Sequence, residues 1–105
     1  MSSLDNRENA FENKYAQDQE TLFRIESRAS KLLGLWAAQE MGLAGEAAES
    51  YAASVIVSNL KEVGVNDVIA KVGADMAAKG KPTELVAAMM HRFMREVDAE
   101  MHKPA

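Results

Sequence analysis

The chain has no cysteine. Disulfides and thiolate metal sites are therefore excluded, and packing alone must hold the fold together. It also lacks a long apolar run: nothing approaches the ~20 residues that cross a bilayer. Positive charge is not in excess. Lys and Arg total 12 against 16 Asp and Glu, for a net charge of -4. A general binder of nucleic acid or of an anionic membrane surface would carry the opposite balance. The start, Met1-Ser2-Ser3-Leu4-Asp5, has neither the basic opening nor the apolar core of a signal peptide. The expected compartment is the cytoplasm. Strand signals are missing too, since no stretch alternates and Val55-Ile56-Val57 sits inside a helical period. A single domain of 105 residues remains, one that buries roughly 65 % of its unfolded surface.

What is present is helical. The densest apolar cluster runs from Lys31 to Leu43 and contains the single tryptophan. Ile25, Ala29, Leu32, Leu33 and Trp36 recur at spacings of three and four, which predicts one shared face. Gly42 stops this helix, with Leu43 folding back on its last turn. A second helix is predicted over residues 46–63, with Ala48, Tyr51, Ala52, Val55, Ile56, Leu60 and Val63 in register, and Gly64-Val65 as its stop. Asn66 or Asp67 caps a third, with Val68, Ile69, Val72 and Met76 on one face, and Gly80 closes it. Pro82 opens a fourth, with Val86, Met89, Met90, Phe93, Val97 and Met101 as its stripe. Short glycine-bearing turns make antiparallel neighbours. The fold class is all-α, a four-helix bundle with a long first helix.

Residues 1–20 differ from the rest. Leu4, Phe11 and Tyr15 form a thin stripe that continues to Leu22, and Asp5 with Glu8 forms a capping pattern. Asn6, Asn9 and Asn13 weaken helix locally. A helix over residues 5–41 would be about 55 Å long, against a radius of gyration near 13 Å for a compact domain of this size. Its N-terminal part overhangs and is expected to be mobile when free. The division is residues 1–20 as a mobile segment and 21–105 as the bundle. Two readings stay open from the pattern alone, a partner-binding segment and an idle solubilising tail.

No catalytic constellation stands out. His91 and His102 are eleven residues apart and read as exposed histidines near a helix end, with no shared metal. Gly73 and Gly80-Lys81 have the wrong spacing for a phosphate loop, and no strand precedes them. Glu96 and Glu100 read as solvated charge, and the serines of the second helix have no His–Asp partner pattern. Met89, Met90, Met94 and Met101 read as core in preference to an adaptable partner groove.

Residues 4–18, Leu-Asp-Asn-Arg-Glu-Asn-Ala-Phe-Glu-Asn-Lys-Tyr-Ala-Gln-Asp, followed by Lys31-Leu32-Leu33-Gly34-Leu35-Trp36-Ala37-Ala38, resemble the zeta subunit of alphaproteobacterial F-type ATP synthases. Asp67-Val68-Ile69-Ala70-Lys71-Val72 and the Lys79-Gly80 turn fit the same family. The resemblance covers essentially the whole chain.

The resemblance implies an inhibitor subunit and not an enzyme. Its N-terminal segment would enter a catalytic interface of the ATPase head, contact the alpha and beta subunits and the gamma shaft, and block ATP hydrolysis while sparing synthesis. Phe11 and Tyr15 would be the apolar anchors, beside Leu4. Asp5, Arg7, Glu8, Glu12 and Lys14 would set register. The protein would be a monomer when free, peripheral to the inner membrane through the ATP synthase, with no nucleic-acid partner and no direct membrane insertion. No cofactor is required. Weak adenine-nucleotide (ADP or ATP) binding by the bundle is implied as well, at no site visible in the sequence. Asn6, Asn9, Asn13 and Tyr15 depart from the family's usual pattern, which implies a segment that folds less readily and a weaker brake. The alternative function is a small helical scaffold or homodimeric interaction protein.

Overall fold

The computed structural model describes residues 18–60 and 65–102. All the secondary structure among them is helical: α1 (Gln19–Glu40), α2 (Glu46–Asn59), α3 (Asn66–Ala78) and α4 (Val86–Met101). They make a four-helix bundle in which α1 packs on each of the other three.

Among the described residues, α1 begins at Gln19. Asp18 leaves the helical region at φ -133 and caps the helix. Its carboxylate accepts from the Thr21 amide at 3.0 Å and from the Thr21 hydroxyl at 2.6 Å. These bonds occupy an amide that would otherwise lack a partner in the first turn. The overhang and the Asp5–Glu8 capping pattern lie outside the described residues.

The far end of α1 closes as the sequence predicts. Gly42 takes φ 80, and the amides of Gly42 and Leu43 donate to the carbonyls of Gln39 (3.1 Å) and Ala38 (2.8 Å). Helix α3 ends identically. Gly80 takes φ 71, with the Gly80 amide on Ala77 (2.9 Å) and the Lys81 amide on Met76 (2.9 Å). Both are Schellman caps, which need a residue that tolerates positive φ.

The seam between α1 and α2 is built on small residues. A Cβ on Gly34 would lie 2.7 Å from the Ala52 Cα and 3.3 Å from Val55 Cγ2. Further along, the Asn59 amide donates to the Ser27 hydroxyl at 3.3 Å. Gly34 thus faces Ala52 and Ser27 faces Asn59, so the two helices run antiparallel. The core is completed by Leu22, Ile25, Ala29, Leu33, Val55, Val65, Val68, Val72, Met76, Val86, Met90, Met94 and Val97. The methionines divide as a core reading requires, with Met90 and Met94 buried and Met89 and Met101 packed against the core.

Several expectations are corrected. Leu32 is exposed and Trp36 only half-buried. The buried stripe of α1 is centred on Leu33, and Leu32, about 100° around the helix from it, lies at the rim. Helix α2 stops at Asn59, and Leu60 is exposed. The Gly64 stop and Val63 lie outside the described residues. Buried Val65, and not Asn66 or Asp67, holds the N-cap position of α3, with no side-chain cap. Pro82 does not open α4, which starts at Val86. It follows the Gly80 cap of α3 by two residues, where it prevents continuation of the preceding helix.

His91 is the largest correction. It is fully buried, not exposed. The buried face of α4 takes in Val86, Met90, His91, Met94 and Val97. That is broader than one i, i+3/i+4 stripe and includes the neighbour of Met90. His102 is exposed as expected, its ring Nδ1 2.9 Å from the Asp98 carbonyl oxygen.

Candidate functional site

The eight residues singled out from the sequence (Leu4, Asp5, Arg7, Glu8, Phe11, Glu12, Lys14 and Tyr15) lie outside the described residues. The structure shows where that segment joins the bundle: at Asp18, the start of α1. Hydrogen bonds from the Thr21 hydroxyl and amide hold the Asp18 carboxyl below the usual carboxylate range. The cap is therefore fully formed at neutral pH.

The polar centre of the described surface lies in the groove between α2 and α3. Tyr51 donates its hydroxyl to Asp75 Oδ2 at 2.8 Å, and Lys71 Nζ reaches the same oxygen at 2.9 Å. The ammonium also lies 5.4 Å from the centroid of the Tyr51 ring, within cation–π range. Burial pushes the Tyr51 hydroxyl up, and donation to a carboxylate adds to the shift. Burial also works to raise Asp75, but bonds from Lys71 and Tyr51 and the Lys71 charge outweigh it and hold the carboxyl low. Two depressions meet at Lys71. One is lined by Ser54, Val57, Ser58 and Asp67, the other by Met41, Leu43, Tyr51, Asp75, Ala78 and Lys79.

Sequence reasoning missed this triad. Lys71 and Asp75 carry a readable signal as an i, i+4 pair. Tyr51 gave none, being 24 positions from Asp75. It also missed Asn59, a buried amide whose Oδ1 has no hydrogen-bond partner among the described residues. Among the described residues no group of three His, Asp or Glu side chains is placed to hold a metal ion. No described helix is long and apolar enough to cross a membrane.

These features define a class: a small all-helical bundle with a polar groove, continued at its N-terminus by an amphipathic sequence. The family model for ATPase inhibitor subunit zeta matches residues 1–100, and the chain belongs to that family. The family name describes an inhibitor subunit of an ATPase. A solved structure described as "Solution NMR structure of the protein" is 37% identical. The match covers 75% of this chain and 92% of that one, with a TM-score of 0.65. No curated protein matched the chain.

Proposed function

We propose that the chain restrains ATP hydrolysis by the F-type ATP synthase, and that residues 1–20 do so by entering a catalytic alpha/beta interface against the gamma shaft. The observation that carries this is the extent of the family match, which begins at residue 1 and runs through the bundle. The segment carrying Phe11 and Tyr15 is thus part of what makes the chain a zeta subunit. Physical chemistry supports the division of labour. A two-aromatic stripe does not hold a helix in water unaided, so the segment orders on its partner, with few anchors carrying the affinity. The bundle at residues 21–105 keeps it at high local concentration. The protein acts on the cytoplasmic head of the enzyme, as a monomer before it binds.

Weak adenine-nucleotide binding belongs to the same proposal. The groove at Lys71 offers a cation and an aromatic face, while the Asp75 carboxylate opposes a phosphate there, consistent with weak affinity.

The test is a titration of F-type ATPase from the same source, depleted of its own inhibitor and hydrolysing ATP. The full chain slows hydrolysis and a chain lacking residues 1–19 does not. Equal inhibition by both would overturn the wedge, and binding of neither would overturn the partner.

A further inference from the structure

Large apolar side chains are exposed at few places on the described surface. Phe23 is 45% exposed, Val57 55%, Leu60 60% and Leu85 60%, with Leu32, farther along α1, at 36%. Their positions sort them. The Ser27–Asn59 contact lies near the Asp18 end of the α1–α2 pair. Phe23 is one turn before Ser27, and Leu60 directly follows Asn59; Val57, three residues earlier, lines the depression toward Asp67 and Lys71. Phe23 and Leu60 belong to the end of the bundle from which the N-terminal segment departs. Leu85 holds the N-cap position of α4 and follows the Gly80 turn. That turn is at the opposite end, where Met41 and Leu43 line one depression with Ala78 and Lys79.

Reach decides what covers the first group. Tyr15 is three residues from Asp18, at most about 11 Å of chain. Phe23 is five residues further along α1, about 7.5 Å of helix rise. A stable interface takes about 800 Å² from each partner, the area of a disc about 16 Å in radius. Tyr15 and Phe23 are thus at most about 18 Å apart, so an interface of that size that includes Tyr15 can also include Phe23. The exposed Glu20–Arg24 pair, 2.6 Å apart, brackets Phe23 on α1 and gives it the polar rim usual at interfaces.

We propose that Phe23 and Leu60 form a second contact with the ATPase head, on which the bundle seats once the N-terminal residues are in place. Its counterpart is an apolar patch rimmed by polar groups of both signs. The inference rests on the function proposed above, because it takes Tyr15 to be held by that partner.

The experiment uses the inhibitor-depleted ATPase and four chains: the full chain, one lacking residues 1–19, Phe23→Ser/Leu60→Ser, and Leu85→Ser. The truncated chain reports on the proposed function, and the double variant on the second contact. The expected result is inhibition at least tenfold weaker for the double variant, with Leu85→Ser within twofold of the full chain. A double variant within twofold of the full chain, while truncation abolishes inhibition, would overturn the contact and leave the function standing. An equal loss from Leu85→Ser would overturn it too. A photo-crosslinker at position 23 of the otherwise unaltered chain gives a readout independent of variant folding. Attachment to an ATPase subunit, absent from position 85, supports the contact. Attachment to a second copy of this chain overturns it.

Discussion

Gly34 and Ala52 meet so closely that the first atom of any side chain on Gly34 would lie 2.7 Å from the Ala52 backbone. The obstacle is a Cα, so no rotamer change relieves it. Alanine at this position gains about 1 kcal/mol in helix propensity, but overpacking a tight seam costs about 1–3 kcal/mol. Gly34→Ala is expected to destabilise, lowering Tm by about 4–8 °C per kcal/mol of net loss. Gly73 supplies the control. It is helical, its φ is not positive, and nothing lies within 4 Å of its Cβ position. Gly73→Ala is expected to stabilise by up to about 1 kcal/mol. Thermal melts of the two variants should move in opposite directions, and a shared direction would refute the close-packed seam.

The Tyr51–Asp75–Lys71 triad gives stability a defined pH window. Asp75 has its carboxyl pKa lowered by folding. Its contribution is present above the ordinary carboxyl value and is lost as pH falls through the lower folded one. Tyr51 has its pKa raised. Its contribution is present below the ordinary phenol value near 10 and is lost as pH rises through the higher folded one. Tyr51→Phe should cost about 0.5–1 kcal/mol at neutral pH, at the low end because the groove is open to water. It should also flatten the alkaline limb of a stability–pH curve. An unchanged limb would remove Tyr51 from the network.

Asp18 sets where α1 begins. Asp18→Ala removes the acceptor for the Thr21 amide and hydroxyl. Amide exchange in the first turn of α1 should accelerate, with little change near Gly34. The same loosening should appear in the unaltered chain as pH falls through the lowered pKa of Asp18, the cap being complete above the ordinary carboxyl value. Uniform acceleration along α1 would mean that Asp18 supports the whole helix, not its start.

Phe11 and Tyr15 can be separated from the bundle by function. Phe11→Ala/Tyr15→Ala is expected to abolish inhibition of ATP hydrolysis while leaving the melting transition nearly unchanged. A large fall in Tm would place the two aromatics in the core instead.

The elements most legible in the sequence were those with a local cause. Gly42 and Gly80 stop helices because a Schellman cap needs positive φ, and both signals lie within a few residues of their effect. The stripes of α3 and α4 were readable for the same reason. What escaped depends on residues distant in sequence. Gly34 is explained only by Ala52, and Asn59 only by Ser27. His91 was misplaced because the buried face of α4 is wider than the spacing of its apolar residues suggests. Pro82 was assigned to the wrong side of its turn, since proline suits both the residue after a cap and the first turn of a helix. At the proposed site, the stripe of Phe11 and Tyr15 was visible in the sequence, though it lies outside the described residues. The neighbouring surface was not, because Phe23 and Leu60 are brought to one end only by the pairing of α1 with α2.

That pairing matters mechanically. On the function proposed above, a segment wedged against a turning shaft would transmit tension to the bundle through the backbone at Asp18. The pull runs lengthwise along α1, and α2 lies alongside it in the opposite sense. The two helices are therefore loaded in shear. Every contact from Ser27–Asn59 to Gly34–Ala52 must yield together, whereas a sideways peel would open them one at a time. Displacing α1 by one turn would also bring Ser30 or Ala38 to the place of Gly34, setting a side chain against the Ala52 backbone. Under that load the seam would act as a mechanical stop along the line of pull.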